Sequence, residues 1–418
     1  MPSPPRLLAS QLLAQCEAAR SYANLALDAA LKRENLAGPD AALCAALVYG
    51  VIERRRTLDY QLDSLLQKPL AELPAQVRAQ LRMGLYQLFY MDRIPAHAAI
   101  HESVELAKAS PKSRHLAGLV NAVLRRAQGR GLVLPEGGGG HALSIRYSCP
   151  EWLVQLWRES YPGDYIALLE HSFGDHDTIL RVNTTKTNTK DLAKLLGAEP
   201  LDGLPDALKI SGEGNITQLP GYDEGLFHVQ DAAAQLCCQT LDPQPGDMVL
   251  DLCAAPGGKS FTCAQLMRNK GKVVALDLHA HRVRLIEQGA ARLGLPCVQA
   301  VQGDARAFTG EADRVLCDVP CSGLGTIRKK PDIREKMRAE LDKLPEMQYA
   351  ILCAGMRSLK RGGTLVYATC TLNPAENEGV CNRFLAEHPG FHAEYQTLMP
   401  HTHGTDGFFI ASFTGESL

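Results

Sequence analysis

The chain of 418 residues is long for one domain; at roughly 150 residues per domain it has room for two or three. Hydrophobic residues at 45% and charged residues at 22% fit a soluble protein with a real core. The longest near-uniform apolar run, Ala41 to Ile52, falls short of the ~18–20 residues that span a bilayer, so no membrane partner is expected. The opening MPSPPRLLASQLLAQ shows neither a continuous apolar segment nor a cleavage site. Thirteen scattered cysteines, with no Cys-x-x-Cys pair, suit reduced thiols in a cytoplasm better than disulfides or a zinc site, and no metal is expected.

The formal charge of −2 is unevenly spread. Residues 1–140 carry 17 basic against 12 acidic side chains, and the remainder 27 against 34. A basic N-terminal third points to a polyanionic partner on that side. From Leu7 to about Arg126 the spacing predicts helices throughout, with apolar residues three and four apart in Leu43, Leu47 and Val51, and in Ile100, Val104 and Ala107. Breaks fall at Gly38-Pro39, Lys68-Pro69 and Ile94-Pro95. The expected domain is 1–135, all α, followed by a glycine-rich linker at 136–145.

Next comes an expected α+β segment, 146–235. It reads as a helix from Pro150 to Leu169, a strand at 179–183, a helix at 191–196 and a strand at 207–210. Trp152 and Trp157 are read as core. From 236 to 418 apolar strands alternate with amphipathic helices: MVLDL (248–252), VVALD (273–277), CVQAV (297–301), RVLCD (314–318) and GTLVYAT (363–369). That alternation predicts an α/β, Rossmann-like parallel sheet covered on both faces. FFIASF (408–413) reads as a late strand, antiparallel to the rest.

The first of those strands runs into DLCAAPGGKS (251–260), whose Gly-Lys-Ser tail imitates a phosphate loop. Such a loop needs glycine at position 253, where Cys253 stands, and Pro256 removes an amide from the cradle. The alternative is a cofactor loop: Gly257-Gly258 allows close backbone approach at a strand-to-helix turn. Asp277, nineteen residues past Gly258, ends the second strand, where an acid can bind ribose hydroxyls. Asp304 follows the third strand, placed to accept from an adenine amine. An adenosine without a demanding phosphate chain is implied, and S-adenosylmethionine is the natural candidate.

DLCAAPGGK, DVPCSGLGTIRKKPDI (318–333), YATCTLNPAENE (367–378) and DGFFIA (406–411) together resemble the RNA cytosine-C5 methyltransferases, in that family's order. Gln230-Asp231 resembles the segment before its cofactor loop. Residues 1–130 resemble a NusB-type RNA-binding domain, as in the bacterial 16S ribosomal RNA methyltransferase B branch. Thr371 stands where that branch usually has serine.

The resemblance implies methylation of C5 of a cytosine in 16S ribosomal RNA, of the cytosine-967 class, with S-adenosylmethionine as donor. DNA is not expected as a partner, nor is an oligomer. Rival readings are a transfer RNA cytosine-C5 methyltransferase and a non-catalytic RNA assembly factor. Methylating that carbon calls for covalent catalysis, with a thiolate adding at C6. Cys370 and Cys321, at two strand ends, compete for the part; the resemblance assigns attack to Cys370 and release of the adduct to Cys321. Asp318 is expected at the cytosine ring, and also in the cofactor set with Cys253, Ala254, Ala255, Pro256, Gly257, Gly258, Lys259, Asp277 and Asp304. RNA contacts are expected from Arg328, Lys329, Lys330, Arg54 and Arg125, and the target base must leave its stack.

Overall fold

The computed structural model describes residues 2–19, 23–174, 176–211 and 215–415. The chain forms two compact units, Met1–Phe173 with Lys330–Lys336, and Gly174–Lys329 with Met337–Leu418.

The first unit is helical. Pro39 sits in the first turn of helix Gly38–Glu53, and Pro74 and Pro95 immediately precede helices Ala75–Tyr90 and Ala96–Ala109. Proline is tolerated there because the first amides of a helix have no intrahelical partner. Leu47, Val48, Leu58, Leu62, Leu81, Leu85, Val120 and Leu124 are shut off from solvent and form one core. Replacing one of these leucines by alanine typically costs about 2–5 kcal/mol.

Much of the basic surplus in this unit is already paired. Arg82 donates to Asp59 at 2.6 and 3.0 Å and to Glu17 at 3.1 Å, while Arg55 and Arg78 reach Glu17 at 3.0 and 3.1 Å. The glycine-rich run is less of a spacer than expected, since helix Gly140–Arg146 begins inside it. The helix expected over 150–169 is two, Glu151–Ser160 and Tyr165–His171, divided at Pro162-Gly163. Contacts group both with the first unit. Trp157 is buried and Trp152 partly so.

The second unit contains two sheets. Strands β1 (Thr178–Val182), β2 (Glu199–Leu201), β3 (Leu204–Ile210) and β4 (Phe227–Val229) form an antiparallel sheet ordered β2-β3-β1-β4. Helix Thr189–Leu196 starts where Asn188 accepts the Asp191 amide at 3.0 Å.

The larger sheet holds β5 (Met248–Asp251), β6 (Lys272–Asp277), β7 (Val298–Gln302), β8 (Ala312–Asp318), β9 (Leu359–Thr369), β10 (Phe391–Leu398) and β11 (Phe408–Gly415). Its order is β10-β11-β9-β8-β5-β6-β7, with β5 to β9 parallel, β11 antiparallel to β9, and β10 antiparallel to β11. Successive residues alternate between two apolar layers: Val249, Ala275, Leu316 and Val366 on one face, and Leu250, Leu276, Val315 and Leu365 on the other. Because both faces are covered, these strands read as continuous apolar runs. Strand order reverses between β5 and β8, and a crevice at the carboxyl ends of the strands opens at such a reversal.

Candidate active site

Chemistry-bearing side chains gather at that reversal. After β5 the loop 252–257 turns into helix Gly258–Leu266, with the Ala255–Pro256 bond cis and Ala254 N–H donating to Leu276 O at 2.8 Å. Gly257 has φ +108°, and a Cβ there would come within 2.3 Å of the Phe261 ring, so the turn requires glycine. At Gly258 a Cβ would meet its first neighbour, Gln230, only at 3.9 Å. The protein's own packing therefore does not demand that glycine.

Lys259, in the first turn, reaches across to the end of β8, where its Nζ lies 2.6 Å from Asp318 Oδ2. Burial opposes the lysine's charge, but Asp318 outweighs it and the ammonium is held firmly protonated. Asp251, wholly buried at the end of β5, accepts the Ser260 hydroxyl at 2.6 Å. Burial, with some repulsion from Asp318, pushes its carboxyl up to about 7.

At the end of β6, Asp277 is buried and accepts the His279 amide at 3.0 Å, leaving its other oxygen 3.9 Å from Arg282. Asp304, after β7, is more committed: both its oxygens are taken by the Arg306 guanidinium, at 2.6 to 3.2 Å.

Cys321 and Cys370 come together. Neighbouring strands β8 and β9 run in parallel register, Asp318 opposite Ala368, and each delivers a cysteine just past its carboxyl end. Their sulfurs are 3.4 Å apart. The hydrogen bond with Cys370, then burial, then the charges of Cys370, Glu376 and Asp318 push the Cys321 thiol well above its usual range. Two loops are stitched around the pair. The Ser322 and Thr371 hydroxyls are 2.6 Å apart, so threonine at 371 keeps the hydroxyl contact. Gly325 N–H donates to Cys370 O at 3.1 Å, and its carbonyl accepts the Gly407 amide at 2.9 Å. A Cβ on Gly325 would collide with the Gly407 carbonyl at 1.8 Å.

The expected RNA contacts fare unevenly. Lys329 is no open cation: its ammonium sits 2.6 Å from Asp231 and 2.9 Å from Asp406, joining three segments of the second unit. Arg328 is partly buried and donates to Gly174 O at 3.3 Å, whereas Lys330 is exposed and belongs to the first unit. Arg54 lies 3.7 Å from the Phe173 ring centre and 4.9 Å from that of Tyr90, a packed cation rather than a projecting one. Arg125 remains on the surface, tied only loosely to Asn121 at 3.2 Å.

Sequence reading missed Asp231 and Asp406 as partners of Lys329, and it missed Glu376, Asn377 and Gln348. For Asp231, in FHVQDAAAQL, and Gln348, in MQYAILC, a polar residue among apolar neighbours was the available signal; Glu376 and Asn377, in NPAENE, offered none. Among the described residues no His/Cys/Asp/Glu group could hold a metal, and no helix is long and apolar enough to cross a membrane.

Three family models match the chain: the 16S rRNA methyltransferase RsmB/F model over 238–414, the NusB family over 3–129, and the ferredoxin-like domain of RsmF/B-like methyltransferases over 149–217. The chain is 38% identical to the "Probable ribosomal RNA small subunit methyltransferase B" of Synechocystis sp., covering 97% of this chain and 98% of that protein. The chain belongs to the ribosomal RNA small subunit methyltransferase B family.

The member of this family from Sodalis glossinidius is 37% identical over 91% of each chain. A crystal structure of a protein named PH0851 superposes with a TM-score of 0.83 at 26% identity, over 99% of each chain. The family accounts for the helical domain ahead of a methyltransferase sheet. Its ferredoxin-like stretch, 149–217, spans the division between the two units.

Proposed function

We propose that this protein methylates C5 of a cytosine in 16S ribosomal RNA, using S-adenosylmethionine, with Cys370 as the attacking sulfur. The observation that carries the reading is the sulfur pair, Cys321 and Cys370, beside the Lys259–Asp318 ion pair at the strand-order reversal.

The residues present suit the donor. A side chain at Gly258 would fill space that the protein leaves open. Asp277 keeps an oxygen for the ribose hydroxyls, and Asp304 would have to share its carboxylate with Arg306 to meet the adenine amine. Residues 253–259 would line the methionine end. When bound, S-adenosylmethionine supplies an electrophilic methyl group.

The protein's own groups do the rest. Cys370 Sγ bonds to C6, and the C5=C6 electron pair moves to C5, the atom that takes the methyl. Asp318, anchored by Lys259, faces the charge that builds on the ring and its amine. Loss of the C5 proton then restores the double bond and expels the Cys370 thiolate. Cys321 assists that release. Once Cys370 is bonded to carbon, the hydrogen bond that does most to hold the Cys321 proton is gone.

The test uses methyl-labelled S-adenosylmethionine, the full chain, and separate samples of 16S ribosomal and transfer RNA, followed by nucleoside chromatography. Label in 5-methylcytidine from ribosomal RNA is expected. Label in another nucleoside, or in transfer RNA only, would contradict the proposal.

A further inference from the structure

Beside the two cysteines lies a carboxylate that the reaction as described does not use. Glu376 is fully buried, yet among the described residues it has no cationic partner; its ligands there are three neutral N–H groups. Its Oε2 accepts the Ser322 backbone amide at 2.8 Å and the Gln348 side-chain amide at 2.9 Å. Its Oε1 accepts the Asn373 side-chain amide at 2.9 Å. The same Gln348 nitrogen donates to Pro320 O at 2.9 Å. Both residues flanking Cys321 in the chain are thus held, Ser322 directly by Glu376 and Pro320 through Gln348.

The residue next to it performs the matching task for the other cysteine. Asn377 accepts the Thr369 hydroxyl at 2.6 Å and donates to Thr371 O at 3.0 Å, the two neighbours of Cys370. Tyr367, within β9, donates to the Glu376 carbonyl at 2.6 Å and fixes this short segment to the sheet. Two adjacent side chains therefore grip the two cysteine loops, one each.

We propose that Glu376 is a positioning residue of the two-cysteine site, setting the distance between Cys321 and Cys370 by anchoring the Cys321 loop. The inference rests on the reading of those cysteines as the reacting pair. Its chemistry is specific to a carboxylate. All three partners are donors, and only an acceptor-only side chain satisfies them together; glutamine would turn an NH₂ group toward at least one of them. Bonds to an ionised acceptor are about twice as strong as neutral ones, which offsets part of the cost of burying the charge. The same charge adds to what holds the proton on Cys321.

Peptide-resolved alkylation by iodoacetamide reads this without turnover. In Glu376→Gln, Cys321 should alkylate at least fivefold faster at pH 8, with its pH profile moved to lower pH. Cys370 and the distant Cys297 should change less than twofold, and S-adenosylmethionine affinity should hold within twofold. Methyl transfer should lose at least tenfold in kcat at nearly constant KM for RNA, and Glu376→Asp should recover part of that loss. Gln348→Met, milder and likewise aimed at the Cys321 loop, should raise Cys321 alkylation at least twofold and serves if the first variant does not fold.

Unchanged Cys321 reactivity in the folded variants would overturn the proposal. So would an equal rise at all three cysteines, the mark of general loosening. If Cys370→Ala still transferred methyl groups, the two-cysteine reading would fail instead, and the alkylation result would stand apart from it.

Discussion

Lys259, in the helix after β5, and Asp318, the last residue of β8, meet at 2.6 Å where the strand order of the sheet reverses. The lysine is largely buried and the aspartate partly exposed. Removing one member strands the other in a poorly hydrated site. A double-mutant cycle with Lys259→Met and Asp318→Asn should give a coupling of about 1–3 kcal/mol in urea unfolding. A coupling near zero would mean that the pair contributes no more than a surface contact.

On the proposed reading, Asp277 is the acceptor for the ribose of the donor. Asp277→Asn should weaken S-adenosylmethionine binding by about tenfold or more in calorimetry, the worth of a hydrogen bond to a charged group. Asp304→Ala should cost less, because Arg306 already occupies both oxygens of that carboxylate. Equal losses would show that Arg306 gives way on binding.

Asp251 sets a pH dependence of stability. Its carboxyl holds a proton up to about pH 7 in the folded chain, against an ordinary 3.8. Between those values the folded state binds more protons than the unfolded, so this group's contribution falls as pH rises from about 4 to 7. The full span corresponds to at most ~4 kcal/mol. Asp251→Asn should flatten that part of the stability profile, measured by urea unfolding at a series of pH values. An unchanged slope would show that Asp251 is ionised in the folded protein.

Lys329 and Arg125 allow the expected RNA contacts to be told from structural cations. Arg125→Ala should lower the salt dependence of RNA binding by roughly one phosphate contact. Lys329→Ala should leave that slope unchanged and instead lower stability, since it leaves Asp231 and Asp406 facing each other without their shared cation. The reverse pattern would return Lys329 to the RNA interface.

The sheet was legible because β5, β6, β8 and β9 are buried on both faces and so announce themselves as apolar runs. β10 escaped notice because it is an edge strand, FHAEYQTL, with His392, Glu394 and Tyr395 facing solvent. β2 is three residues with a proline in the middle, and β4 is no longer. The helix read through 150–169 breaks where Pro162-Gly163 interrupt an otherwise periodic pattern.

The candidate site was legible where motif and strand end coincide, as at Cys370, Cys321, Asp318 and Lys259. It was not legible where function depends on partners distant in sequence. Nothing in RKK distinguishes Lys329, turned toward Asp231 and Asp406, from its neighbours. Nor does Glu376 differ on paper from Glu378, although the first is buried against three amides and the second only partly covered.

The most direct test asks which sulfur bonds to the base. Cys321→Ala and Cys370→Ala proteins are each incubated with S-adenosylmethionine and 16S ribosomal RNA, then run on a denaturing gel. The expected result is a slow-migrating protein–RNA adduct with Cys321→Ala, which can attack but not release, and none with Cys370→Ala. An adduct formed by Cys370→Ala and absent from Cys321→Ala would contradict the assignment.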